Sequence, residues 1–416
     1  MFEFGRDLRK LFEKARESED LGWLELVGAD LVQIEARREA VDAGRVSCAR
    51  PFDGWMRASA LWREHARRTG FRSSLDHAAA AASDAARHTA SADQTASAAI
   101  ESSEIHLLRF DLFGGPASLT AALSDIQALT AERPATRTAA AALHARLSAR
   151  RARLSGETRA LLDAAALLDA ALHAAGRLPP PAADELRLER AALALEAGVA
   201  RRDPRLLDQA GRDLRSLIET ASPDQRPLTR ARALAMAGAG MVALADLAGD
   251  AAAALQGRAL FDAAADQFTP DHSPLDWVAV VLARADDAAP LAALTQAETL
   301  VREPGLLLGA LARERRFAAE TALAEATGDI EALFGLEALI RRRLSRPGRV
   351  QPLDWAADQI AMARLALARS RLTAVEPRAV GLILTEAMEA GREQGASVLV
   401  QRAAAVLPAA PWPGYA

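Results

Sequence analysis

The chain has 416 residues, half of them apolar and only 4% aromatic, with a formal net charge of −4. That length suits two or three ordinary domains or one extended array of small units, and an alanine-rich composition with few β-branched runs favours closely packed helices over sheets. The mildly acidic balance gives no footprint for nucleic acid, which would want a clustered basic face. Arginine almost replaces lysine, which occurs only at Lys10 and Lys14, and with the alanine excess this is the composition of a GC-rich bacterial gene product. Cys48 stands alone, so no intramolecular disulfide forms and a reducing compartment is the simple reading. The first 20 residues lack the apolar core of a secretion signal. No later stretch approaches the ~18 uncharged apolar residues of a membrane span, the best attempt being residues 233–245. The chain is expected to be soluble and cytoplasmic.

In chain order, residues 2–16 place Phe4, Leu8, Leu11, Phe12 and Ala15 on one helical face and Arg6, Arg9, Glu13 and Arg16 on the others. This amphipathic helix reads first as a cap on the exposed end of an array. Its second reading is a surface anchor or partner-binding helix, although five cations in residues 1–20 face six acids, a poor match to anionic lipid. A helix is expected over residues 21–43, ending near Gly44, and another from the Pro51-Phe52-Asp53-Gly54-Trp55 phrase to about Thr69. Ser73 or Ser74 is placed to cap the next. Residues 93–113 read as a helix stopped by Gly114-Gly115-Pro116, while residues 78–99, rich in Ala, Ser and Thr, are expected to be the least ordered part of the fold.

From Pro134 onward, helix starts are expected at prolines 134, 181, 227, 274, 304 and 352, near-equally spaced but for the short step from 274 to 304. Between them lie internal turns at Ser155-Gly156, Asp203-Pro204, Gly249-Asp250, Asp286-Asp287, Gly328-Asp329 and Glu376-Pro377. Residues 351–359 read QPLDWAADQ and residues 273–279 read SPLDWVA, two copies of one phrase. Proline is tolerated in a first helical turn, the acid suits the positive end of the helix dipole, and tryptophan brings a large apolar surface to a neighbour. The pattern gives an all-α chain divided into N-terminal amphipathic and capping helices (1–45), a divergent helical region (46–133), helix-pair repeats (134–394), and a closing helix with a Pro-rich tail (395–416).

These residues carry a family likeness. Residues 328–368, GDIEALFGLEALIRRRLSRPGRVQPLDWAADQIAMARLALA, resemble tetratricopeptide-type repeats, above all a bacterial variety in which a PLDWA-x-x-Q phrase opens each unit. Pro352, Leu353, Asp354, Trp355, Ala356 and Gln359 match that phrase; Pro274, Leu275, Asp276 and Trp277 match its first four positions, and Pro227 and Leu228 match two. Ala332, Leu336 and Ala254 keep some of the usual second-helix positions and Arg258 does not, so the repeats are degenerate. The resemblance implies a right-handed superhelical array of antiparallel helix pairs and a non-catalytic adaptor or scaffold role.

No GxSxG, GxxxxGK[ST], HExxH, paired CxxC or strand-linked GxGxxG occurs, and the seven histidines contain no i, i+3 or i, i+4 pair for a metal. No cofactor, metal or catalytic residue is expected. Gly238-Ala239-Gly240 reads as close helix packing. Glu64-His65 with Arg67-Arg68 reads as a solvated helix face, and Arg341-Arg342-Arg343 with Arg346 and Arg349 as a solvated helix end. The expected partner is a protein peptide or helix on the concave face of the array, met by Arg230, Arg232, Arg313, Arg316 and Arg364 through carboxylates. The alternative is a peripheral membrane, cell-pole or envelope factor tethered through residues 2–16.

Overall fold

Proline loses nothing at the first turn of a helix, where its missing N–H would have had no partner, and among the described residues eight helices begin at one. The computed structural model describes residues 21–284, 290–345, 350–375, 377 and 379–407. Among them are eighteen α-helices, two short 3-10 turns (Gly22–Leu26 and Ala175–Arg177) and no strand. In order the helices are α1 (Ala29–Ala43), α2 (Pro51–Thr69), α3 (Arg72–Arg87), α4 (Ala92–Phe113), α5 (Pro116–Gln127), α6 (Pro134–Ser155), α7 (Thr158–Ala174), α8 (Pro180–Arg201) and α9 (Pro204–Thr220). They continue as α10 (Pro227–Ala248), α11 (Ala251–Gln267), α12 (Pro274–Arg284), α13 (Leu291–Leu300), α14 (Leu307–Thr327), α15 (Ile330–Leu344), α16 (Pro352–Thr373), α17 (Val380–Glu393) and α18 (Ser397–Ala404). The chain divides into two compact units: Met1–Trp62 with Ala81–Glu101 and Asp125–Ser273, and Arg63–Ala80 with Ser102–Ser124 and everything from Pro274 on.

In the first unit the helices from α6 to α11 pack mainly on the next and the next but one in chain order. Alanines make this close: Ala142, Ala145, Ala149 and Ala152, three or four residues apart on α6, face Ala164, Leu168 and Ala171 of α7. Leu214 and Leu217 of α9 then fill the space between Ala191 of α8 and Ala233 of α10. The helix ends are set locally. Asp203 accepts the N–H of Arg205 at 2.9 Å and Asp250 that of Ala252 at 2.9 Å, satisfying donors that a helix start leaves over. Long-range ties join the early and late parts of this unit. The Glu25 carboxylate, in the first 3-10 turn, is buried and accepts the N–H and hydroxyl of Thr229 at 2.8 and 2.5 Å, with Arg226 at 3.5 Å.

In the second unit α12 to α18 follow the same neighbour rule. Phe317 and Ala324 of α14, Leu333 and Ile340 of α15, and Ala361, Leu365 and Ala368 of α16 form one core. Asp329 caps α15 through the N–H of Ala332 at 2.9 Å. The earlier segments of this unit are held by the later ones: the Arg72 guanidinium donates to the Pro304 carbonyl at 3.3 Å, and the Gly115 N–H to the Gln394 carbonyl at 3.1 Å.

Several local expectations are corrected. The helix expected over 21–43 is broken at Gly28, because the N–H of Ala29 turns to the carbonyl of Asp271 at 3.2 Å. Residues 78–99 lie in α3 and α4 apart from the turn at 88–91, with Ala78, Ala81, Ala82, Ala85, Ala96 and Ala98 buried; small side chains that need little room and favour helix suffice there. Neither Ser73 nor Ser74 caps α3, which starts at Arg72, and Ser74 is buried with its Oγ 2.8 Å from Nδ1 of His65. Glu64-His65-Arg67-Arg68 is not a solvated face: His65 and Arg68 are buried, and Glu64 neutralises Arg68 at 2.6 Å one turn away. Pro304 does not begin α14, which starts at Leu307 after a left-handed Gly305 at φ 75°. Residues 2–16, Asp286-Asp287, Arg346, Arg349, Glu376 and the tail from 408 lie outside the described residues.

Candidate functional site

The first unit carries an apolar groove of about 460 Å³ bounded by α8 to α11. One wall is α9, whose Pro204, Leu207, Gly211, Leu214 and Ile218 recur at helical spacing. Pro204 to Ile218 spans about 20 Å at ~1.5 Å per residue. The other wall is α10, through Leu234, Ala237, Gly240, Met241 and Leu244, and Leu195 of α8 with Leu260 of α11 completes the lining.

Missing side chains shape the groove. A Cβ on Gly238 would stand 3.0 Å from the Gly257 carbonyl oxygen and 3.2 Å from the Phe261 ring, so α10 is drawn tightly onto α11. A Cβ on Gly240 would lie 2.9 Å from Leu195 Cδ2, whereas one on Gly211 meets nothing within 4 Å. Gly211 is therefore a gap in the wall and opens the space. Among the described residues α10 is the one helix long and apolar enough to cross a membrane, by length and composition; only 22% of its most apolar window is buried.

The rim is basic. Arg201, Arg202 and Arg205 are exposed around the turn from α8 to α9, beside Pro204, and Arg212 and Arg215 are exposed along α9. Arg212 pairs with Asp208 one turn earlier; no carboxylate among the described residues pairs with Arg201, Arg202, Arg205 or Arg215. Of the nearby acids, Asp203 caps α9 and Asp213 pairs with Arg190 at 3.1 Å, while Glu219 beside Ile218 and Asp246 beyond Leu244 are exposed.

The arginines singled out in the sequence lie elsewhere, and those with resolved bonds serve their own chain. Arg230 donates from Nη1 to the carbonyls of Ile218 and Ala221, closing the C-terminal end of α9 against α10. Arg232 sits half-buried on α10 and is also engaged. In the second unit Arg313 donates to Asp354 at 2.9 Å and lies 3.4 Å from Glu298. Arg316 bridges Glu298 and Glu320 at 2.5 and 2.6 Å, its guanidinium 4.4 Å from the centre of the Phe317 ring. Arg364 reaches the fully buried Glu314 at 3.1 Å, where Arg402 joins it. Arg343 of the basic run pairs with buried Asp358 at 3.0 Å. Burial pushes the Asp358 carboxyl above its ordinary range, against the pull of Arg343 and Arg313. Burial alone would lower Arg313, but Asp354, Asp358 and Glu298 outweigh it and hold its pKa up.

The PLDW phrases act at helix starts. Asp354 binds the N–H of Gly305 at 2.9 Å as well as Arg313, and Leu353 and Leu275 are buried beside it and its counterpart. Trp277, Trp355 and Gln359 are half-buried, and Asp276 is bonded within the fold. In the first unit, Glu189 of α8 is clamped by Arg150 and Arg153 of α6; burial would raise its pKa, but these two guanidiniums and Arg146 bring it down to about 2. A second, polar cavity of about 500 Å³ near Arg50, Asp53, His88 and Asp93 has its acids occupied: Asp53 by Arg50 at 2.6 Å, Asp93 by the N–H groups of Glu132 and Arg133 at 3.1 and 2.9 Å. Among the described residues no three His, Cys, Asp or Glu side chains converge as metal ligands would.

The groove escaped the sequence reading because its walls come from four helices. The signals were the apolar stripe of α9, interrupted by Gly211, and the apolar α10. No protein-family model matches the chain, and no curated protein matches it in sequence.

Proposed function

We propose that the chain is a non-catalytic interaction protein, built of degenerate tetratricopeptide-type helix pairs stacked as a superhelical array, which holds an acidic amphipathic segment of a partner protein in the groove between α8 and α11. The observation that carries this reading is an apolar cleft about 20 Å long with four exposed arginines on or beside its α9 wall, Arg201, Arg202, Arg205 and Arg215, that pair with no carboxylate among the described residues. A helix laid in such a groove buries side chains at i, i+3, i+4 and i+7 and turns its charges to the rim. Arginine meets carboxylates there bidentately, which favours acidic partners and rejects basic ones. The helix-by-helix packing within each unit and the PLDW helix starts support the array.

The test is fluorescence anisotropy of a labelled 15-residue helix-forming peptide with leucine and phenylalanine on one face and glutamate on the other, against an arginine-faced counterpart. Binding of the acidic peptide, at least tenfold tighter than the basic one and abolished by Gly211→Leu in a chain that melts no lower than the parent, is the expected result. Equal affinity for the two peptides, or an acidic complex indifferent to Gly211→Leu, overturns the reading.

A further inference from the structure

Resting on that reading of the groove, we infer that the partner segment is read at two points one helical turn apart: an aromatic side chain seated at Gly211 and a carboxylate met by Arg215. Close approaches elsewhere fix the level of Gly211. A Cβ on Gly198 of α8 would fall 2.8 Å from Leu207 Cδ2, and one on Gly240 of α10 would fall 2.9 Å from Leu195 Cδ2. Leu195 lies one turn before Gly198 on α8, and Gly211 one turn after Leu207 on α9. Further along the same pair, Ala191 of α8 shares a core with Leu214 of α9, so the two helices run antiparallel and Gly211 stands level with Leu195 and Gly240. Both walls are short of side chain there: Gly211 meets nothing within 4 Å, and α10 offers Ala237 and Gly240. Gly211 is also the midpoint of the wall from Pro204 to Ile218.

A gap leaves its lining without contacts on one side, and a partner regains them by inserting a large group. Anchors of this kind sit at the centre of an interface and are most often aromatic. A ring brings a large apolar surface at the cost of two side-chain rotors, and the Met241 thioether, which lines the same groove, makes favourable contacts with it. The second point follows from the charges. Arg212 and Arg215 are the cations lining the groove. Arg212 is held by Asp208; Arg215 is exposed and pairs with no carboxylate among the described residues, Glu219 one turn further on included. Gly211 and Arg215 are about 6 Å apart along α9 at ~1.5 Å per residue, the spacing of residues i and i+4 on a helix laid along the wall. The segment therefore carries an aromatic residue with an aspartate or glutamate four residues to one side of it.

The experiment compares, by anisotropy, two labelled helix-forming peptides with a leucine face and a single central phenylalanine. One carries its only glutamate four residues before the phenylalanine, the other four residues after it, with glutamine at the remaining polar positions. The expected result at low ionic strength is that one order binds about three- to fivefold more tightly than the other. Arg215→Ala, in a chain with the parent's melting temperature, removes the difference, and replacing the phenylalanine by alanine costs at least about tenfold in either order. Equal affinity of the two orders, a preference that survives Arg215→Ala, or a phenylalanine replaceable at little cost overturns this inference; binding that is still lost in Gly211→Leu then leaves the groove reading standing. Peptides that bind in neither order, or that bind Gly211→Leu as well as the parent, overturn the groove reading and this inference with it.

Discussion

The carboxylate of Asp354, in the first turn of α16, accepts the backbone N–H of Gly305 at 2.9 Å, 49 residues away in sequence. Its other oxygen takes the Arg313 guanidinium at 2.9 Å. One side chain thus satisfies a turn donor and neutralises a largely buried cation. Replacing it by alanine orphans the Gly305 N–H and leaves Arg313 with Glu298 at 3.4 Å, and removing one partner of a buried pair costs up to about 3–5 kcal/mol. Asp354→Ala should lower the urea midpoint accordingly, while Asp276→Ala, at the more exposed copy of the phrase, should cost less.

Gly211 stands in a helix interior with no atom within 4 Å of where its Cβ would be. Glycine there costs ~0.5–1 kcal/mol relative to alanine. Gly211→Ala should therefore raise thermal stability by that amount, read by calorimetry.

Gly114 is the opposite case. Its φ is 68°, and a Cβ would fall 2.4 Å from the Gln394 carbonyl oxygen, the acceptor for the Gly115 N–H. Left-handed strain of about 1–2 kcal/mol adds to the loss of that hydrogen bond, ~1 kcal/mol. Gly114→Ala should destabilise the chain by roughly 2–3 kcal/mol in chemical denaturation.

Glu189 sets a pH dependence. Its carboxyl titrates near 2 in the folded chain, below its ordinary value of 4.5, so the folded state favours the charged form. The stabilisation is fully present above about pH 4.5 and is lost as pH falls through about 2, an effect on the order of 3 kcal/mol. Glu189→Gln should be less stable than the parent at pH 7, and the gap should narrow as pH drops from 4.5 toward 2 in acid-unfolding curves.

What the sequence made legible was local. Asp203, Asp250 and Asp329 mark helix starts because a cap bonds to N–H groups two or three residues on. Pro134, Pro227, Pro274 and Pro352 do so through their own geometry. The roles of the arginines were not legible, since Arg313 meets Asp354 and Arg364 meets Glu314 across 41 and 50 residues. Pairing at that range is decided by which helices stack, not by local charge order. Arg68 shows the same limit from the other side, as its own Glu64 one turn away permits a burial that composition argues against.

The partition of the chain into two interleaved units bears on its synthesis. Residues 63–80 and 102–124 belong to a unit completed only by the chain from Pro274 onward, where Arg72 finds Pro304 and Gly115 finds Gln394. At ~5–20 residues per second the ribosome needs roughly 10–60 s to supply those partners. For that interval the early segments wait without the later helices that complete their unit. A fragment ending near Ser273 would lack them permanently.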